Sequence, residues 1–372
     1  MTPDVPPSPA APTPTPEGYG RAIGTLLLGM GGFLTFGLVA QVLHPAWGLW
    51  ATEIALFLGI PFALLKMSGK DPFAASTLGR PWAAGVGFGF AVGAVNFFAL
   101  AVPLMWVSRE LLPKEVLEAF DTSKIFQNQR PVDLAMLISG VCLAAPFCEE
   151  FFFRGTVQRG LMEKLPPSTS IVLCGFIFSA FHLDPVGLLA RFELGVLFGL
   201  LSWRSGSLWP AIGAHFANNF VSSLSFFATK DQADEPLVWW VPLSMAMAGS
   251  LGLIALARLA RVRPAVVTPP PSVPRPDPKR AGIGEAFFPW ALGTLLSFGV
   301  VAAIDHRAIS VNVVEIVNPV TVPGLPPLTA DEEDELKQLR GKARDGSLPV
   351  NDYAKERRKL AETVKARSNA VK

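Results

Sequence analysis

Three short clusters of ionisable and amide side chains interrupt stretches that are otherwise apolar. They are Cys148-Glu149-Glu150-Phe151-Phe152-Phe153-Arg154, Phe178-Ser179-Ala180-Phe181-His182 and His215-Phe216-Ala217-Asn218-Asn219. Glu150 and Arg154 stand at i and i+4, so on a helix they share a face and can form an ion pair that lowers the burial cost of both. Glu149 lies about 100° around the helix from Glu150 and is left free to face elsewhere. One arginine cannot neutralise two adjacent carboxylates, so Glu149 needs another purpose. His215 and Asn219 are also at i and i+4 and present an imidazole and a carboxamide together. A carboxylate in apolar surroundings is a competent general base, and an imidazole such as His182 can share its water and pass on a proton. Imidazole and carboxamide N–H groups can stabilise a developing oxyanion in a low-dielectric site. Such a set suits the hydrolysis of an amide bond. Glu149, His182 and His215 also make a two-histidine, one-carboxylate zinc set with an open fourth position. The residues alone leave both chemistries open.

The elements that must position these groups read as membrane helices. Of 372 residues, 50% are apolar and only 17% are charged, against about 25% charged in an ordinary soluble domain. The charges collect in short clusters and in a C-terminal tail, leaving uncharged stretches long enough to supply the roughly 20 residues that cross a bilayer. Helices are expected at about 22–43, 47–66, 82–107, 132–163, 168–183, 191–204, 207–228, 237–258 and 285–304. The expected organisation is a Pro-rich leader at 1–20, a transmembrane core at 21–262 with the chemistry on helices 132–228, a Pro-rich linker at 263–283, an extra transmembrane helix at 284–304, and a linker with a charged helical tail at 305–372. A formal net charge of +2 without a basic stripe gives no reason to expect a nucleic-acid partner. Cys142, Cys148 and Cys174 sit in apolar segments without pairing spacing, and are read as buried free thiols.

Charged side chains at bilayer depth cost at least about 2.5–3.5 kcal/mol on insertion scales, which makes the three clusters functional candidates. Glu149 lies 17 residues before Pro166 and His182 lies 15 after Pro167. At 1.5 Å per residue, both stand roughly 23–25 Å from a turn at those prolines, and so level with each other. His215, 8 residues after Ser207, is expected shallower unless the chain compensates. Gly85, Gly89 and Gly93 form a small-residue ladder for close helix packing. Arg191 and Glu193 read as a loop-edge pair. Short-loop Lys and Arg place Lys66, Lys70, Arg80, Arg159, Lys164, Arg204 and the Arg258–Arg263 cluster on one side, the cytoplasm if the N-terminus is there. Arg109, Lys114, Lys124 and Arg130 dissent; Asp231, Asp234 and Glu235 agree. In the tail, Thr329 and Glu332 make a capping box, with two amphipathic helices expected around Asp345-Gly346.

Glu149-Glu150 with Arg154, Phe178 with His182, and His215 with Asn219, in this order on successive helices, resemble the CPBP family of CAAX-protease and bacteriocin-processing intramembrane peptidases. That family includes the type II prenyl-protein endopeptidase, and the resemblance covers about residues 80–228. It implies an all-α polytopic bundle with an eight-helix core, to which the ninth helix and the short soluble helical tail are additions. It implies Glu149 as the water-activating base with His182, Glu150–Arg154 as a supporting pair, and His215 with Asn219 as the oxyanion site. Family members are commonly labelled metalloproteases, but a glutamate-dependent mechanism without a required cofactor is favoured; zinc on Glu149, His182 and His215 is the alternative. The resemblance also implies a membrane-anchored protein or peptide substrate, a site in the cytoplasmic (inner) membrane, and a cavity open to the cytoplasm. A protein partner through the tail is a further expectation. Two other readings of the clusters are a transporter or proton relay, which should show an internal repeat with paired acidic sites, and a non-catalytic scaffold or immunity protein.

Overall fold

Apolar runs that must satisfy every backbone group inside a bilayer have only two choices, and this chain takes the helical one. The computed structural model describes residues 17–121, 125–126, 129–229, 238–263, 269, 277–321 and 325–370, and no strand occurs among them. Lys124, Asp231, Asp234, Glu235, the leader up to Pro16 and most of the Pro-rich linker lie outside the described residues. In chain order the long helices are α1 (Gly18–Leu43), α2 (Pro45–Met67), α3 (Ala83–Leu111), α4 (Pro131–Leu161), α5 (Pro167–Phe181), α6 (Leu188–Ser205), α7 (Trp209–Thr229), α8 (Trp240–Val262) and α9 (Ile283–Val317). Two tail helices follow, α10 (Ala330–Asp345) and α11 (Val350–Ala370). Six of these, α1–α4, α8 and α9, are long and apolar enough to cross a membrane. The chain is a multi-pass membrane protein. Its outward leucines, among them Leu27, Leu251 and Leu295, are as exposed as surface lysines would be in a soluble protein.

Local chemistry sets the helix ends. Pro45, Pro131 and Pro167 open α2, α4 and α5, where a missing N–H costs nothing. Gly206 closes α6 at φ +65°, a conformation glycine adopts without a Cβ penalty. α4 runs unbroken past Arg154, as the level placement of Glu149 and His182 requires. Two wider-wound π stretches, Gly140–Ala144 and Phe153–Gln158, flank its glutamates, a feature that recurs at functional sites.

His215 escapes its expected shallow depth because the α6–α7 turn is itself buried. Leu208 is fully enclosed, and its N–H donates to the Thr77 carbonyl of the α2–α3 linker at 3.2 Å. α7 therefore starts beneath the surface. The small-residue ladder holds α7 there: Gly89 and Gly93 lie against the backbone of Pro210 and Ala214, and Gly213 answers against Val86. A side chain at 93 would push directly on the residue before His215. Gly93→Val should lower stability by about 1–3 kcal/mol, the usual cost of overpacking. Gly87→Ala, whose Cβ would meet nothing within 4 Å, should melt in detergent as the parent does.

α9 continues to Val317, beyond the expected end at 304, with its one non-helical residue at Asp305 (φ −128°, ψ 33°). There it meets a buried charge cluster on the face where α2 and α4 begin. His44 Nε2 lies 3.1 Å from Asp305 Oδ2, and Arg130 pairs with both Asp305 and Asp133. Past the kink, Asn312 donates to the Leu43 carbonyl at 2.9 Å. The tail hairpin packs on this extension through Val311, Ala343 and Tyr353. The Thr329–Glu332 capping box and a turn at Gly346 form as expected. Burial beside Glu315 pushes the Tyr353 phenol up to about 12, so it remains a donor to that carboxylate at 2.8 Å. On the opposite face, Lys70 bonds Asp277 and the Ala281 N–H bonds the Lys66 carbonyl, which fixes the start of α9 beside the end of α2.

Candidate active site

Arg154 is the hub of the site and is wholly enclosed. Its Nη1 donates to Glu150 Oε1 at 2.8 Å, one turn back on α4, and its Nη2 donates to the Gly195 carbonyl of α6 at 2.9 Å. That carbonyl can come so near because Gly195 and Gly175 let α6 and α5 meet backbone to backbone. The guanidinium also sits over Phe178 of α5, 4.5 Å from the ring centroid. The pairing expected from i, i+4 spacing is present, with two further neighbours, the Gly195 carbonyl and the Phe178 ring, that the spacing does not show.

Glu150 Oε1 takes a second bond, from His215 Nδ1 of α7 at 3.0 Å. With Nδ1 engaged by Glu150, Nε2 is the ring nitrogen that faces Glu149, whose Oε2 is 3.8 Å away. Phe198 stacks on the imidazole at 4.8 Å and fixes its plane. Glu149 is 8% exposed, and its Oε2 has no hydrogen-bond partner within the protein. A polar atom buried this way is costly unless it has a use. Asn219 sits one turn beyond His215. One Nδ2 hydrogen goes to the Val141 carbonyl at 2.8 Å and its Oδ1 accepts from Asn218 at 3.2 Å, which leaves its second N–H available.

Glu149, Glu150, Arg154 and His215 thus come together, with Asn219 adjacent. His182 stands at the rim. It caps α5, is exposed, and donates from Nδ1 to the Phe178 carbonyl at 3.0 Å, leaving Nε2 as an acceptor. The Phe178 ring touches both imidazoles, at 5.1 Å from His182 and 5.8 Å from His215. Arg191 lies near enough to act as a charge on both Glu149 and His182. It pairs with Asp184 at 2.7 Å, while Glu193 accepts from Asn96 at 2.9 Å, so the expected Arg191–Glu193 pair does not form. The three cysteines are buried and free.

Sequence reasoning missed Glu53. This residue of α2 is 2% exposed, and it lies close enough to Glu149 for their charges to interact. The only signal was a lone glutamate in an apolar span.

Glu149, His182 and His215 do not bring three ligand atoms within 4.8 Å of one another; among the described residues, His44, Asp133 and Asp305 do. The first set does not fit zinc in this arrangement. The second fits no better. His44 Nδ1 accepts the Trp47 N–H at 3.2 Å, so a neutral ring carries its hydrogen on Nε2, the atom facing the aspartates, and Arg130 already supplies the positive charge. A cavity of about 440 Å³ opens at the Lys/Arg-rich face between Arg21, Lys70, Gly155, Arg159 and Glu163, and none of the six candidate residues lines it.

Comparison with known proteins bears on α4 to α7 alone. No curated protein matches the chain. No solved structure matches it either. One family model does, described as Rce1-like, type II CAAX prenyl endopeptidase Rce1-like, over residues 131–221. The matched stretch runs from the first residue of α4 into α7 and contains Glu149, Glu150, Arg154, His182, His215 and Asn219. The match supports an assignment of this stretch, about a quarter of the chain, to the Rce1-like (type II CAAX prenyl endopeptidase) family.

Proposed function

We propose that this protein is an intramembrane endopeptidase that hydrolyses a peptide bond of a membrane-anchored protein or peptide, by CAAX-type or related terminal processing. The observation carrying the reading is the bridge made by His215, tied to the Arg154-paired Glu150 on one side and turned toward the unpartnered Glu149 on the other. A water held on Glu149, beside His215, would give one proton to Glu149 as its oxygen adds to the scissile carbonyl. The free Asn219 N–H would meet the oxyanion; His215 can add an N–H only when doubly protonated. Glu149 then returns the proton to the leaving amine, and His182 Nε2 at the rim can relay it. This scheme requires no metal.

A transporter reading would need a second, repeat-related acidic site, and the Glu/His cluster occurs once along the chain. In the cytoplasmic membrane the Lys/Arg-rich face is assigned to the cytoplasm. His182 and Arg191 then lie toward the other leaflet, because α5 leaves the Lys/Arg-rich face at Pro167 and ends at Phe181.

Mass spectrometry of protein termini should compare membranes from cells with and without the gene. New termini, confined to membrane-anchored proteins, are expected only where the gene is present. Identical termini in both would overturn the assignment.

A further inference from the structure

α2 and α4 both run from the tail face to the Lys/Arg-rich face, and their aromatic contacts fix how they align. Phe57, one turn beyond Glu53, meets Phe152 and Phe153 with ring centroids 5.2 and 6.1 Å apart. Phe153 is itself one turn beyond Glu149. In parallel helices, rings in contact one turn ahead place the two carboxylates at the same level, one turn behind. Glu53 is 2% exposed, and its Oε2, like that of Glu149, has no hydrogen-bond partner within the protein. Its charge also acts on Cys148, the residue before Glu149. The cations near Glu149 are committed elsewhere, since Arg154 serves Glu150 and the Gly195 carbonyl and Arg191 pairs with Asp184. A carboxylate at bilayer depth with no structural partner is a functional group by default.

We propose that Glu53 is a third catalytic carboxylate, accepting one O–H of the hydrolytic water while Glu149 takes the other. This rests on the peptidase reading above. A water donating to two carboxylates at one level has both hydrogens fixed and its oxygen lone pairs turned away from them, toward a substrate carbonyl. As the C–O bond forms, the proton on the Glu149 side transfers to Glu149 and the carbonyl electron pair moves to its oxygen. The hydrogen facing Glu53 stays on the attacking oxygen. When the tetrahedral species collapses, Glu149 delivers its proton to the amine nitrogen and the C–N bond breaks. Glu53 ends the cycle unchanged.

Wild type, Glu149→Gln, Glu53→Gln and Glu53→Leu should be compared in membranes of cells lacking the native gene. The readout is the rate at which wild-type-dependent termini form per folded molecule, followed by kinetics on the mapped peptide. Glu53→Leu is expected to lower kcat about 100-fold with KM within about twofold, the scale of losing one positioned proton-handling group. Glu53→Gln keeps the volume and one acceptor oxygen and should remain within about tenfold of wild type. Full activity of Glu53→Leu beside an inactive Glu149→Gln would overturn the role of Glu53 and leave the peptidase standing. Equal losses in Glu53→Gln and Glu53→Leu, accompanied by lower melting temperatures in both, would show a structural role and overturn it too. A wild type that yields no new termini would remove the reading underneath.

Discussion

Glu149→Gln should abolish proteolysis while leaving the protein folded. Glutamine matches glutamate in volume and can still accept a hydrogen bond from water, but it cannot take up the proton. The expected loss in kcat is at least about 10²-fold and approaches about 10⁴-fold, the span attributed to a positioned general base. Substrate affinity should change little, because Glu149 faces His215 Nε2 at 3.8 Å and makes no hydrogen bond that organises the surrounding helices. Single-turnover cleavage of a mapped substrate, with melting in detergent as the folding control, checks both halves. Retained cleavage would end the hydrolase assignment. Removing a buried carboxylate that lacks a partner should, if anything, raise the melting temperature.

Arg154→Met should have the largest effect on stability. The arginine and Glu150 are both fully enclosed, and breaking a buried pair by removing one partner costs about 3–5 kcal/mol because the other charge is left uncompensated. Here the loss extends further, since Arg154 also satisfies the Gly195 carbonyl and rests on Phe178. Low accumulation in membranes and a large fall in melting temperature are expected. The double variant Glu150→Met with Arg154→Met removes both charges and should recover most of the stability. It should not recover activity, because His215 Nδ1 loses the carboxylate that orients it. A single Arg154→Met variant melting like wild type would show that the pair carries little of the fold's stability.

Where chemistry depends on neighbours along one helix, the sequence was an adequate guide. The Glu150–Arg154 pair, the capping box at Thr329 and the turn at Pro166-Pro167 each follow from spacings of one turn or less. The match over residues 131–221 covers the stretch that holds all three motifs. Relations between helices were harder to see. Glu53 has no ionisable partner at helical spacing within α2, so nothing in the chain around it points to Glu149. Arg191 and Glu193 looked like a pair because they are close in sequence. Two residues apart on a helix they point away from each other, and each found its partner elsewhere, on Asp184 and Asn96. His44, at the α1–α2 junction, meets Asp133 of α4 and Asp305 at the kink of α9, three positions far apart in the chain. The depth of His215 departs from the expectation for a similar reason. The rise per residue was right, but the buried turn at Leu208 changed where the count begins.

The hub at Arg154 also imposes an order on biogenesis. When α4 leaves the ribosome it carries Glu150 and Arg154 together, a nearly neutral pair that can enter lipid. The Phe178 platform arrives only with α5 and the Gly195 carbonyl with α6, and the imidazole that faces Glu149 comes last, on α7. A nascent chain halted before α7 therefore holds Glu149 without the imidazole that faces it. If Glu149 is the base proposed above, hydrolysis can begin only once the seventh helix has joined the others.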